Sequence, residues 1–141
     1  MKRFIRIVCL VIVLSFLVAI PAYATEQTPR ASDYFGAYSA YCYEASATKL
    51  EVYFTVIAVS EMDELGVSTI KVQRSSDGIN WTTVKTYAKG SYPNLVDTDT
   101  GAHASSVACT KTAGYYYRAR VTFYAKNNSG TGYLNYYTSK I

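Results

Sequence analysis

Beyond its first 24 residues, the chain lacks several features that mark common protein classes. It has no sustained apolar spacing at i, i+3 and i+4, which excludes a fold built on amphipathic helices. It also has no excess of basic charge there, because 11 of the 14 Lys and Arg residues remain against 10 Asp and Glu residues, a net charge of +1. Nucleic acids and anionic membranes attract clustered Lys and Arg, so the composition predicts neither partner. Internal repeats and low-complexity tracts are absent as well.

The first 24 residues have the organisation of a secretory signal peptide. A positively charged start at residues 2–6 precedes an apolar run over residues 7–20, and small residues follow at Ala22 and Ala24. The run of 14 residues is too short for a membrane span, which needs about 20. We therefore predict cleavage between Ala24 and Thr25, a secreted extracellular protein, and no membrane span in the mature chain.

The mature chain has the length of one domain, which we place at residues 33–141 after a polar lead at 25–32. Cys42 and Cys109 lie in this domain, an even number of cysteines in the oxidising compartment that a leader implies. A disulfide between them would contribute about 4 kcal/mol in the chain-entropy model. Two separately buried thiols are the alternative, because the sequence does not show whether the two Cα atoms approach within about 7 Å.

Tyrosine is the outlier of the composition, with 15 residues. It favours strands in which the ring packs and the hydroxyl reaches water. Alternation is clearest where Leu50, Val52 and Phe54 share a face, and Asp77-Gly78 supplies a hairpin turn further on. We predict an all-β antiparallel sandwich, with an open barrel as second choice, a turn at 61–66 and a loop at 88–102. The seven predicted strands span residues 34–43, 50–59, 69–74, 81–87, 103–111, 115–125 and 133–140.

The segment from Gly114 to Val121, with the turn residues 127–130 after it, resembles the penultimate strand and last turn of a fibronectin type III domain. In that family a glycine precedes a corner tyrosine, and small and β-branched residues then alternate inward. Tyr117 matches the corner tyrosine by its spacing to Val121, whereas Lys111 stands where the family prefers leucine. The resemblance implies an immunoglobulin-like or fibronectin III-like sandwich, and it implies no function because this fold hosts many.

The whole chain is also similar to a group of short exported bacterial proteins from Gram-positive anaerobes whose function is uncharacterised. The matching segments are residues 32–35 after the leader, residues 62–66 before the hairpin, and Ala113-Gly114 before the tyrosine-rich strand. This resemblance implies secretion, and it carries over no active site.

Asp97, Asp99 and His103 are the residues that could carry chemistry. Asp99 begins the sequence Asp-Thr-Gly-Ala found at the catalytic carboxylate of aspartic proteases, but polar residues precede it where those enzymes have an apolar strand. Asp97 and Asp99 have the spacing of calcium ligands, without the further acidic ligands that calcium requires. His103 is the single histidine, and no glycine-flanked serine elbow accompanies it. We therefore expect no catalytic residue, no bound metal and no cofactor.

The outward side of the predicted strand at 115–125 is the candidate binding surface. Tyr116, Arg118, Arg120 and Tyr124 alternate with inward residues there, and tyrosines flanking arginines could stack on a sugar or anchor a protein. The sequence thus predicts a secreted, non-enzymatic module that binds an extracellular protein or glycan. The alternatives are a small secreted hydrolase that uses Asp99 or His103, and a secreted effector peptide.

Overall fold

A computed structural model of the protein describes residues 30–141, and this part of the chain is almost entirely antiparallel strand. Two short 3-10 helices, Ala31–Asp33 and Pro93–Leu95, accompany the strands, and no helix among these residues is long and apolar enough to cross a membrane. The predicted all-β class is confirmed. The predicted leader, its cleavage site at Ala24 and Thr25, and residues 25–29 of the polar lead lie outside the described residues. The six strands are β1 (Phe35–Ser46), β2 (Lys49–Ser75), β3 (Thr82–Ala88), β4 (Val96–Thr110), β5 (Tyr116–Asn127) and β6 (Gly130–Tyr137).

Strand β2 is 27 residues long and pairs with four other strands. Its first half, from residue 49 to 58, lies between β1 and β4. Its second half pairs with β5 over residues 64–75 and with β3 over residues 69–74, and β6 pairs with β5. The six strands therefore form two groups that share β2: a first group of β1, β2 and β4, and a second group of β3, β2, β5 and β6.

The core lies where the inward side chains of the two groups meet. Phe54 in the first half of β2 packs edge-on against Phe123 of β5, with ring centroids 6.4 Å apart, and both side chains are fully buried. Strands β2 and β5 contribute alternate residues over much of their length, so a period of two in the sequence becomes one continuous apolar layer. The fully buried members of this layer on β2 and β5 include Leu50, Val52, Val56, Ile70, Val72, Ala119 and Val121.

The predicted turn at 61–66 is wrong, because the chain stays extended through this segment and joins two predicted strands into β2. Met62 and Leu65 are both buried although they lie three positions apart, an odd number that places them on opposite faces of an extended strand. Pairing skips a stretch of β2 between Ile57 and Met62, and residues 62–66 then pair with the beginning of β4. One long strand with an interruption therefore replaces a turn, and the strand number falls from about seven to six.

The predicted loop at 88–102 is also wrong in its second part. Strand β4 begins at Val96, and its first residues pair with β2 between Met62 and Gly66. These residues include Asp97 and Asp99, which are polar and exposed. Strand β4 pairs with β2 alone among the described residues, and the unpaired side of such an edge strand tolerates polar side chains that a central strand would exclude.

The predicted disulfide is absent, since Cys42 and Cys109 are both free thiols. Cys42 on β1 lies opposite Val52 of β2, and Cys109 on β4 lies opposite Leu50 of the same strand. Because β2 runs between the two cysteines, their Cα atoms are separated by two strand spacings, about 10 Å. A disulfide requires less than about 7 Å, so the backbone itself prevents this bond.

Replacing Gly66 tests the close approach of β2 to the chain entering β4. A Cβ atom at Gly66 would lie 2.1 Å from the Leu95 carbonyl oxygen and 2.8 Å from the Val96 Cα atom, and backbone cannot move aside cheaply. We expect Gly66→Ala to lower the free energy of unfolding by about 2 kcal/mol or more, measured by urea denaturation. Gly101→Ala is the matched control, because no atom lies within 4 Å of its added Cβ and its stability should be nearly unchanged. Equal stability of the two variants would contradict this account.

Thiol titration tests the separation of the two cysteines. Chain purified without its leader should give two alkylated cysteines by mass spectrometry when it is unfolded without reductant. In the folded protein Cys42 should react more slowly than Cys109, because Cys42 is buried and this burial raises the pKa of its thiol. A chain that accepts alkylating reagent only after reduction would show that the bond forms and that the register between β1, β2 and β4 is incorrect.

Candidate ligand-binding face

The outward side of β5 carries the residues that the sequence predicted as a binding surface. The inward residues Tyr117, Ala119 and Phe123 are buried. Tyr116 is exposed, and Arg118 and Arg120 are half-buried on the other side of the strand. Alternation along one strand therefore brings the predicted tyrosine and both arginines onto a single outer surface of the second group.

Two aromatic rings hold Arg118 in place. Its guanidinium carbon lies 4.2 Å from the centroid of the Trp81 ring and 5.0 Å from the centroid of the Tyr137 ring. Its Nε donates a hydrogen bond of 2.8 Å to the Oε1 of Gln73 on the adjacent β2. Contacts of this kind contribute roughly 0.5–1 kcal/mol each at exposed sites and fix the direction of the side chain. Neither Trp81 nor Tyr137 is among the binding residues predicted from the sequence.

Arg120 lies two residues after Arg118, on the same side of β5. Its register partners are Lys71 on β2 and Tyr137 on β6, and its guanidinium carbon lies 5.9 Å from the Tyr137 ring centroid. The Nε of Arg120 is buried and has no hydrogen-bond partner among the described residues. A buried donor without an acceptor is energetically costly. We refer to Trp81, Tyr116, Arg118, Arg120 and Tyr137 together as the aromatic–cationic face.

The turn between β2 and β3 positions Trp81. The Asp77 carboxylate accepts hydrogen bonds from the backbone N–H groups of Ile79 and Asn80, each 2.8 Å long, and from the Ser75 hydroxyl and the Asn80 amide. These donors, the Asn80 backbone first, lower the pKa of Asp77 far below its usual value. Gly78 adopts a φ of 72°, which favours glycine. The predicted hairpin turn therefore forms, and it brings Trp81 to Arg118.

Tyr124 was predicted as a binding residue, but its side chain is not accessible and it does not belong to the aromatic–cationic face. Its side chain is only 4% exposed. The Lys89 ammonium lies 3.7 Å from its ring centroid, Tyr133 covers another side at 5.4 Å, and its hydroxyl donates a 3.0 Å hydrogen bond to Glu64. Tyr124 points outward as alternation requires, but side chains from the neighbouring segments close over it.

Glu64 links the segments that cover Tyr124. Its carboxylate forms ion pairs with Lys89 at 2.7 Å and Lys126 at 3.5 Å in addition to accepting the Tyr124 hydroxyl. The hydrogen bond from Lys89 is the largest cause that lowers the pKa of Glu64, and it outweighs burial, which acts in the opposite direction. This cluster connects β2, the end of β3 and β5 at one border of the aromatic–cationic face.

The partners that a hydrolase using His103, the alternative function, would need are not assembled among the described residues. The Nε2 of His103 lies 3.0 Å from the backbone carbonyl oxygen of Asn94. A carbonyl oxygen only accepts, so this nitrogen carries a proton and donates a hydrogen bond to the main chain. Its Nδ1 lies 3.9 Å from the Asp97 carboxylate, and its ring packs on Phe54. No hydrogen bond joins His103 to a hydroxyl or a thiol within residues 30–141. Asp99 is exposed with a φ of 50°, at a bend in β4.

No group of three or more His, Cys, Asp or Glu residues in the described part of the chain could hold a metal ion. Asp97 and Asp99 are the pair that the sequence suggested for calcium, and the Asp97 carboxylate instead accepts a hydrogen bond from the Thr98 backbone. A calcium site needs at least six oxygen ligands, and two neighbouring aspartates supply too few.

A second tyrosine cluster lies on the outward side of the first group. Tyr41 contacts Tyr43 at 5.9 Å and Tyr53 at 5.2 Å between ring centroids, and the Tyr43 hydroxyl donates a hydrogen bond to Glu51. Lys49, on β2 like Tyr53, is exposed and forms no ion pair with the described residues. This surface has aromatic rings without stacked guanidinium groups, which makes it a useful control for the aromatic–cationic face.

The pH dependence of stability tests the Glu64 cluster. A carboxyl group whose pKa is lowered on folding adds stability above its unfolded pKa, about 4.3, and loses it as the pH falls through the folded pKa. Glu64→Gln should therefore lower the free energy of unfolding by about 0.2–1 kcal/mol at pH 7, and this difference from the wild type should vanish near pH 2.5. Glu61→Gln, at an exposed position, should leave the free energy of unfolding unchanged at both pH values. A Glu64→Gln difference that persists in acid would contradict the assignment.

Comparison with protein-family models, with curated proteins and with solved structures finds no match to this chain. The predicted membership in the fibronectin type III family and in a group of exported bacterial proteins therefore stays a prediction. The function proposed for this chain therefore rests on the residues and geometry of the aromatic–cationic face.

Proposed function

We propose that the protein is a secreted, non-enzymatic binding module and that the aromatic–cationic face binds its extracellular ligand, a protein or a glycan. The observation that carries this proposal is the Arg118 guanidinium held between Trp81 and Tyr137. Within the described chain only its Nε is hydrogen-bonded, to Gln73, so its terminal nitrogens are available to a ligand. A side chain fixed before binding loses less conformational entropy on binding than a free one.

The composition of the face supports the same role. Tryptophan, tyrosine and arginine are the residue types that most often dominate the energy of a binding interface. Three chain segments supply them: the end of the β2–β3 turn, strand β5 and strand β6. Tyr116 and Tyr137 are 44% and 51% exposed, so the rings that border the arginines remain accessible.

A fibronectin type III-like sandwich is the fold that we propose for the domain. The grouping of β1, β2 and β4 against β3, β2, β5 and β6 supports it, as does the contact between Phe54 and Phe123. The Tyr117 hydroxyl accepts a 2.8 Å hydrogen bond from the backbone N–H of Thr112, five residues earlier, as expected of a corner tyrosine. Such sandwiches serve many functions, so the binding role rests on the face.

Replacing the stacked triad tests the proposal. The variant Trp81→Ala/Arg118→Ala/Tyr137→Ala should lose at least tenfold in affinity for the wild-type ligand on a panel of immobilised glycans and extracellular proteins. The control Tyr41→Ala/Tyr53→Ala/Lys49→Ala removes a similar set of side chains from the opposite surface and should bind as the wild type does. Circular dichroism and urea denaturation establish that both variants are folded. Undiminished binding by the folded triad variant, or no wild-type binding anywhere on the panel, would overturn the proposal.

A further inference from the structure

Resting on the proposed binding role, we infer that the ligand of the aromatic–cationic face is a linear anionic polysaccharide, whose carboxylate, sulfate or phosphate groups contact Arg118, Arg120 and Lys71.

Several cations without ion pairs lie together on this face. Arg118, Arg120, Lys71 and Lys140 lie on or beside this face, and none of them forms an ion pair within residues 30–141. The ion pairs of the described chain instead involve Glu64, Glu44 and Asp97. The chain from residue 25 onward is nearly neutral, so four unpaired cations on one surface form a local positive field that favours an anionic partner.

The free donors of the Arg118 guanidinium suit an anionic ligand. Trp81 and Tyr137 contact the guanidinium, and the Gln73 amide oxygen accepts the hydrogen bond of Nε, so the terminal N–H groups form no hydrogen bond within residues 30–141. Arginine presents these donors in a plane that fits the paired oxygens of a carboxylate, a sulfate or a phosphate. Arg120 adds a second guanidinium with no hydrogen bond inside the described chain.

The spacing of the cations suits a polymer with repeated charges. Arg118 and Arg120 are two residues apart on the same side of β5, which separates them by about 6.7 Å along the strand. Lys71 lies directly across from Arg120 on β2. The cations therefore form a cluster on the sheet surface, with two along β5 and one across from Arg120 on β2. A polymer with regularly repeated charges can contact several of them at once, whereas a single small anion can contact only one or two.

The phenol groups of this face favour a polysaccharide over an acidic protein. Besides Trp81, the rings next to the cations are tyrosines, and the hydroxyls of Tyr116 and Tyr137 form no hydrogen bond with the described chain although both side chains are well exposed. Sugar hydroxyl groups can exchange hydrogen bonds with such phenols.

Direct binding measurements test the inference with protein purified after expression of the full-length gene. We expect binding to dextran sulfate and to polygalacturonate, little binding to neutral dextran, and a weaker response to polyglutamate of matched charge. Because several cations contact the polymer, the affinity should fall steeply between 50 and 300 mM NaCl, as in other polyanion complexes. Binding to dextran equal to that of dextran sulfate would overturn the inference, and so would stronger binding to polyglutamate or to single-stranded DNA.

Single substitutions test whether the cations of this face bind the polysaccharide. Lys71→Gln and Arg120→Gln should each weaken dextran sulfate binding about two- to fivefold. Lys71 is exposed and makes none of the stacking contacts, so its replacement leaves the packing intact. Arg118→Lys keeps the charge and removes the planar donors, and it should weaken binding more than the loss of Lys71 does. Lys49→Gln removes the same charge from the opposite surface and should have no effect. Equal effects of Lys71→Gln and Lys49→Gln would overturn the assignment.

The same experiments separate this inference from the binding role itself. A neutral glycan or a protein that binds the wild type and not the Trp81→Ala/Arg118→Ala/Tyr137→Ala variant would overturn the anionic polysaccharide and leave the proposed function standing. A face whose replacement affects no ligand on the panel would overturn both.

Discussion

Strand β2 is the constraint on which the rest of the structure depends, because both strand groups are built on it. Its first half supplies the central strand of one group, and its second half supplies a paired strand of the other. The alternate buried side chains of the two halves, such as Val52 and Val72, therefore belong to the same core. Any change that moves one half relative to the other alters the packing of every strand that pairs with β2.

The aromatic–cationic face follows from this arrangement. Because β5 pairs with the second half of β2, the inward residues of β5 close the core and its outward residues are left on an open surface. The β2–β3 turn then carries Trp81 to one side of Arg118, while β6 carries Tyr137 to the other. Three segments that are distant in sequence thus fix one guanidinium, and the Glu64 cluster closes the border near Tyr124.

Local alternation in the sequence was sufficient to predict the central strands but not how they join. The run from Leu50 to Val56 and the run from Tyr117 to Phe123 each have a period of two, and both lie in strands with the predicted faces. Met62 and Leu65 break that period because the chain there is buried on both sides, so the segment resembled a turn. The beginning of β4 was missed for a different reason, since Asp97 and Asp99 are polar residues of an edge strand.

The binding face could be predicted only in part, because alternation gives the direction of a side chain and not what covers it. Arg118 and Arg120 followed from the outward positions of β5, whereas the burial of Tyr124 depends on Lys89 and Tyr133, which come from other segments. Tyr137 was within reach of the sequence, because the pairing of the last two strands places it beside β5. Trp81 was not, because its position beside Arg118 also depends on the pairing of β2 with β5, which joins distant segments.

The sharing of β2 also determines how the chain must fold. Lys49 pairs with Thr110, and Glu64 pairs with Lys126, so the contacts that complete each group join segments that are far apart along the chain. Closing such loops costs entropy before any pairing is gained, and domains dominated by distant pairings fold in milliseconds to seconds rather than microseconds. The first group has all its strands once β4 ends at Thr110, and the second group also needs β5 and β6, so neither half of β2 has all its partners until the last third of the chain has been made.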